Sequence, residues 1–308
     1  MQRSFKDYLI ISLKGIAMGA ADVVPGVSGG TIAFISGIYE ELLESINAIN
    51  FNALKILKSE GFKAMWKSIN GNFLLSLLLG IGLSIASLAK LIKWLLENEP
   101  ILVWSFFFGL VLASVIYVAK QIKKWNFMTV FVLLIGTAIG YYITTLPPMS
   151  GNYPSNWFLF IAGGLAICAM ILPGISGGFI LLILGAYKPA LDALQDRDIK
   201  TILLLISGAI VGLLTFSRLL KWLFDKYHTL TLALLTGFIL GSLNKIWPWK
   251  ETLTWRINSH GIKVPHNELS ISPFSYEGNP ELIWAIFLTV VGFLVIVLLE
   301  KSATVKAK

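Results

Sequence analysis

Apolar residues gather in long runs along this chain, and polar residues are confined to short intervals between them. Six runs, at 73–96, 101–119, 127–146, 202–222, 229–247 and 282–299, are close to the length of about 20 apolar residues that a helix needs to cross roughly 30 Å of hydrocarbon. Two further regions, 8–45 and 157–194, are equally apolar but interrupted. Each has a Pro-Gly-x-Ser-Gly-Gly element in its middle: Pro25-Gly26-Val27-Ser28-Gly29-Gly30 in the first, Pro173-Gly174-Ile175-Ser176-Gly177-Gly178 in the second. Proline lacks the donor a helix needs, and glycine lets the chain turn. About a dozen residues on one side of such a break span only ~18 Å as helix. The pattern predicts two re-entrant helical hairpins, turning at Pro25-Gly26 and Pro173-Gly174, each entering and leaving on one side.

The two halves match. Pro25 to Tyr39 aligns with Pro173 to Tyr187 at an offset of 148 residues, bringing Gly26, Gly29, Gly30 and Gly37 onto Gly174, Gly177, Gly178 and Gly185. Further on, Lys90, Lys93 and Trp94 align with Arg218, Lys221 and Trp222 at an offset of 128, as Gly109 and Ser114 do with Gly237 and Ser242. The 20-residue difference is an insertion near 46–70 in the first half. A shared order of hairpin, basic-Trp helix and Gly-x4-Ser helix points to duplication. The expected fold is an all-α polytopic membrane protein with two inverted repeats, 1–148 and 149–308. Each is a re-entrant helical hairpin plus three transmembrane helices, and the odd number of crossings inverts the second repeat.

Composition agrees. Of 308 residues, 56% are hydrophobic and 14% charged, where a soluble domain carries roughly a quarter charged. The formal charge of +8 would suit nucleic acid in a soluble protein. Here the basic residues flank apolar spans, so they read as topology signals and lipid-headgroup contacts, not nucleic-acid binding. With the N-terminus in the cytoplasm, 16 of the 25 Lys and Arg fall inside and the acids divide almost evenly, as the positive-inside rule requires. Arg3 and Lys6 ahead of an apolar run resemble a weak leader. Lys14 and Asp22 interrupt that run, so the segment is expected to be mature sequence. Cys168 is the one cysteine, which excludes an internal disulfide.

Paired broken helices at matching positions of two inverted halves are the sequence mark of a transport site. A helix restarting after each turn presents unpartnered N–H groups and a positive dipole end. The backbone of Gly29, Gly30 and Thr31, and of Gly177, Gly178 and Phe179, can therefore cradle an anion, with Ser28 and Ser176 adding hydroxyls. The bland alternative is that the glycines only permit close packing and the serines bond their own helix. Lys90 and Arg218 either offer cations to a substrate phosphate or snorkel to the interface. Asp22, so deep in an apolar region, either takes up a coupling proton or sodium ion, or pairs with Lys14 or caps exposed N–H groups. It faces Met170 in the repeat alignment, and Thr31 faces Phe179, so the site is not symmetric. Glu40, Glu41 and Glu44 read as a solvated hairpin end. Gly15-x3-Gly19 and Gly136-x3-Gly140 allow close helix contacts, internal or in a homodimer. His228, His260 and His266 fall in loops without metal-ligand spacing, and no nucleotide-binding or hydrolase motif occurs, so neither a metal nor a cofactor is expected. Loop 248–281 reads as a lid or a connector.

Gly19-Ala20-Ala21-Asp22-Val23-Val24-Pro25-Gly26-Val27-Ser28-Gly29-Gly30-Thr31, together with Leu172-Pro173-Gly174-Ile175-Ser176-Gly177-Gly178 and Leu184-Gly185-Ala186-Tyr187, resembles the bacterial polyprenyl-phosphate translocase family, whose members are called PopT. The resemblance implies that the chain returns undecaprenyl phosphate, the carrier of cell-wall precursors, from the outer leaflet to the inner. The residues alone reach only an anion at the midplane between two hairpins. A secondary transporter of a small soluble anion or ion would use the same scaffold. A phosphatase on the same lipid would need a histidine nucleophile, and none lies near the hairpins.

Overall fold

The computed structural model describes residues 3–24, 26–147, 149, 155–257 and 263–305; Pro25 and His260 lie outside the described residues. Helices α1 (Phe5–Val23), α2 (Gly29–Ile35) and α3 (Tyr39–Asn47) form the first broken region, and α4 (Phe51–Glu60) and α5 (Phe62–Ser68) fill the insertion. Then come α6 (Gly71–Asn98), α7 (Pro100–Gln121) and α8 (Phe127–Thr145). The second half holds α9 (Asn156–Ile171), α10 (Gly177–Ile183), α11 (Tyr187–Gln195), α12 (Ile199–Ser242) and α13 (Leu282–Val305).

Local chemistry sets the boundaries. Asn126 Oδ1 accepts from Thr129 N at 2.8 Å and starts α8. Asp198 Oδ1 accepts from the amides of Lys200 and Thr201 and starts α12, and Pro100 occupies the first turn of α7. The two breaks have the same backbone. Gly26 and Gly174 have φ of 87° and 91°, and Gly37 and Gly185 have φ of 70° and 68°, left-handed values that side chains resist. The arms before the breaks, 19 residues in α1 and 16 in α9, exceed the dozen expected, because the helix runs unbroken up to the Pro-Gly element.

Four described helices are long and apolar enough to cross a membrane: α6, α7, α8 and the stretch Ile199–Ile246. The bent pair α10–α11, turning through 106°, makes five if counted as one span. The sequence predicted six. Its spans 202–222 and 229–247 are the two arms of α12, which meet at Tyr227, where the backbone leaves helical values (φ −132°, ψ 43°), so Ile199–Ile246 counts once among the four although it holds both. The apolar stretch of α13, Leu282–Leu298, falls just short in length. Leu75, Leu78, Leu79 and Leu83 of α6 and Ile283, Phe287, Val290 and Leu298 of α13 are exposed, a surface that needs lipid as its solvent. The chain is a multi-pass membrane protein.

Between helices in lipid, close van der Waals contact replaces the hydrophobic drive. α1 packs on α6, and α9 on the first arm of α12; α8 packs on the second arm of α12, and α13 on α7. Glycines make these contacts possible. A side chain at Gly80 would strike the carbonyl of Ser12, one at Gly208 the carbonyl of Phe160, and one at Gly136 the carbonyl of Leu234. Gly15, Gly19, Gly136 and Gly140 are all used inside the chain.

The chain is not wholly α-helical. Lys250–Ile257 (β1) and Lys263–Ser270 (β2) pair antiparallel within the long loop, with Thr252 opposite Glu268. The indole N–H of Trp247 donates to Ile271 O at 2.8 Å and that of Trp249 to Pro280 O at 2.9 Å. Trp249 packs with Ile101 and Ala285, which docks the hairpin on the starts of α7 and α13.

Candidate functional site

The two breaks meet. Ser28 Oγ donates towards the carbonyls of Leu172 (3.1 Å) and Met170 (3.3 Å) just before the second break. In return, Gly174 N donates to Thr31 Oγ1 at 2.9 Å. Gly30 lies so close that a Cβ there would stand 2.6 Å from Ile171 O and 2.9 Å from Met170 O. Ser28 and Thr31 are fully buried, and Ser176 is 6% exposed. Each buried bond of this kind is worth roughly 1 kcal/mol net, and an orphaned partner costs more.

At the first break the restarting helix has its donors filled. Asp22 Oδ1 accepts from Gly29 N at 2.7 Å, Ser28 Oγ from Gly30 N at 3.1 Å, and Ser28 O from Thr31 N at 3.0 Å. Asp22 thus caps exposed N–H groups, and Lys14 Nζ donates to Ser36 O at 2.6 Å. At the second break, no described residue accepts from the amides of Gly177, Gly178 or Phe179, and Ser176 provides no side-chain cap. Met170, in the place of Asp22, has no oxygen to offer. Gly178 is exposed where Gly30 is buried. Beside it, α9, α10 and the first arm of α12 enclose an open cleft of about 280 Å³, lined by apolar side chains such as Ala166, Met170, Leu181 and Ile206 with Gly177 and Gly178.

Lys90 and Arg218 are exposed on α6 and α12, and neither pairs with a described residue. The structure does not bring them to the breaks by any ion pair or hydrogen bond. The acids of the hairpin end are tied down. Glu41 accepts from Arg3 and Asn70, Glu44 lies 3.5 Å from Lys221, and Glu40 lies 3.4 Å from His228.

One cation at the junction escaped the sequence reading. Lys245, in the turn after α12, packs its stem on Gly26, where a Cβ would stand 2.7 Å from Lys245 Cγ. Its ammonium lies 4.7 Å from the centre of the Phe179 ring, within cation–π range. It therefore touches both breaks. The signal was present: at the 128-residue offset Lys245 stands opposite Tyr117, so the second half carries a cation that the first lacks.

Residues 18–264, a stretch containing both breaks, match the family model described as undecaprenyl phosphate translocase-like. The chain belongs to that family. It is 52% identical over 271 residues to a Vibrio cholerae protein named polyprenyl-phosphate transporter, covering 88% of each chain. It is 32% identical over 257 residues to a Staphylococcus aureus protein of the same name, covering 78% of this chain and 86% of that one. No solved structure matches.

Proposed function

We propose that this chain carries a polyprenyl phosphate such as undecaprenyl phosphate across the bacterial cytoplasmic membrane, from the outer leaflet to the inner, recycling the carrier lipid of cell-wall synthesis. It acts as a transporter and not as an enzyme, in keeping with its family. The observation that carries the proposal is the hydrogen-bonded meeting of the two breaks, Ser28 to Leu172 and Gly174 to Thr31. Broken helices from matching halves that converge are where transporters of this build hold their substrate. The names of the two relatives supply the lipid.

In this reading the two repeats are inverted, the N- and C-termini are cytoplasmic, and the hairpins re-enter from opposite sides. The unequal distribution of Lys and Arg supports that orientation. The phosphate binds at the junction through Ser176 and the free amides of Gly177 and Gly178, with Ser28, Gly29, Gly30 and Thr31 shaping the other wall. Lys90 and Arg218 meet the headgroup at either end of its path. Asp22 takes up the coupling proton or sodium ion. The apolar cleft beside Gly177 and Gly178 favours a lipid over a small soluble anion, because a prenyl tail suits an apolar wall and a hydrated ion does not.

Liposomes with labelled undecaprenyl phosphate in one leaflet test the proposal. Protein-dependent transfer, reduced in Ser176→Ala, is the expected result. Absence of transfer with and without proton or sodium gradients overturns it.

A further inference from the structure

Two partly buried lysines share one carboxylate at the edge of the junction. Lys245 Nζ and Lys250 Nζ lie 3.8 Å and 3.9 Å from the same oxygen, Glu268 Oε2. The Lys250 side chain is 10% exposed, that of Lys245 22% and that of Glu268 28%. Lys250 Nζ also donates to Lys245 O at 2.8 Å and lies 4.4 Å from the centre of the Trp104 ring. Among the described residues, two ammonium groups and one carboxylate leave one positive charge uncompensated in a poorly solvated place, which is costly until an anion arrives. Both contacts to Glu268 are long for charge-assisted hydrogen bonds, which run near 2.7–2.9 Å.

The cluster is built from several elements. Lys245 follows α12, Lys250 opens β1, Glu268 lies on β2 and Trp104 on α7. Lys245 reaches both breaks, through Gly26 and through the Phe179 ring. A phosphomonoester carries about −1.5 to −2 charge at neutral pH, more than the single carboxylate that Glu268 supplies.

We propose that Lys245 and Lys250 supply the cations of the phosphate seat at this junction, and that Glu268 holds them until the substrate phosphate displaces its carboxylate. The inference rests on the lipid-phosphate reading above and adds the residues that meet the headgroup. No covalent step is involved; one oxyanion replaces another between two ammonium groups.

Burial pushes the Lys250 ammonium down to about 8, with Glu268 pulling it back up and Lys245 pushing it further down. Among the described residues, those two are the charged groups facing it. Its positive charge is present below pH 8 and lost above it, while the phosphate stays doubly ionised. Binding therefore weakens between pH 7 and pH 9, and the weakening is much reduced in Lys250→Gln.

The test is a binding titration of the full-length protein in nanodiscs, read by tryptophan fluorescence, since Trp104 lies under Lys250. The probes are a short-chain polyprenyl phosphate, the matching alcohol and inorganic phosphate. Lys245→Gln and Lys250→Gln should each raise Kd at least 10-fold for the phosphates, with partial recovery in Lys245→Arg and Lys250→Arg. Glu268→Gln should lower Kd several-fold, because it removes the internal competitor. A purely structural salt bridge predicts the reverse for Glu268→Gln, so weakened binding there overturns the proposal, as does unchanged Kd in both lysine variants. Lipid transfer by the unmodified protein, measured alongside, separates the two readings. Transfer that survives with no lysine effect sinks the seat and leaves the transporter. The same pattern of variants with inorganic phosphate alone, and no lipid transfer, keeps the seat and sinks the lipid.

Discussion

The first and second breaks share a backbone and differ in what they leave unfinished. Both have a positive-φ glycine after the Pro position, a seven-residue helix and a nine-residue helix. At the first, the side chains of Asp22 and Ser28 and the carbonyl of Ser28 close the donors of Gly29, Gly30 and Thr31, and Ser28 and Thr31 reach across to the other half. At the second, three amides and the Ser176 hydroxyl find no described partner, and an apolar cleft lies alongside. Two positions account for much of the difference. Asp22 caps Gly29 where Met170 cannot cap Gly177, and Thr31 receives the amide of Gly174 while its counterpart Phe179 lies under a lysine. The first break is a joint and the second is a socket.

Matched substitutions sharpen this contrast. Gly30→Ala drives a methyl into the carbonyls of Ile171 and Met170 and should cost about 3 kcal/mol, at the upper end for overpacking. Gly178→Ala meets nothing nearer than Ser176 Oγ at 3.8 Å and should change stability by under about 0.5 kcal/mol. Denaturation of the two variants in detergent decides it; equal losses would erase the distinction. Thr31→Val orphans the buried amide of Gly174 and should cost about 2 kcal/mol. Ser28→Ala removes a cap and the bonds to the second half, costing about 1 kcal/mol. Ser176→Ala should leave the melting temperature unchanged and reduce lipid transfer alone. Asp22→Asn keeps an acceptor for Gly29 but no charge. Its stability should shift by only a few tenths of a kcal/mol, while its transfer should stop responding to an imposed ion gradient. A gradient response retained in Asp22→Asn would remove Asp22 from coupling.

Much of the scaffold was legible because repetition and apolar run length are properties of the string itself. The Pro-Gly-x-Ser-Gly-Gly elements fixed the breaks to the residue, and the offset of 148 gave identical bounds for the short helices, Gly29–Ile35 and Gly177–Ile183. The asymmetry was visible in outline at Asp22 against Met170. What could not be read were partners distant in sequence. Ser28 bonds to carbonyls more than 140 residues away, and a carbonyl carries no residue identity to search for. Loop 248–281 hid its β-hairpin because its short mixed-charge strands are pinned by the indoles of Trp247 and Trp249, not by an apolar pattern of their own. Lys245 stands at the end of an apolar run, where a lysine looks like any boundary residue, and its contacts with Gly26 and Phe179 are also distant in sequence.

The pairing of a closed joint with an open socket also bears on how such a chain could have arisen. An ancestor assembled from two identical half-length copies would place the same residue at both breaks, so an acid that capped one would cap the other. Mutation could then only close both or open both. Once the copies were joined in one chain, Asp22 and Thr31 could stay on one side while Met170 and Phe179 stood on the other. In a single chain, unlike a pair of identical copies, two matching breaks are free to carry different residues and so to be closed on one side and open on the other.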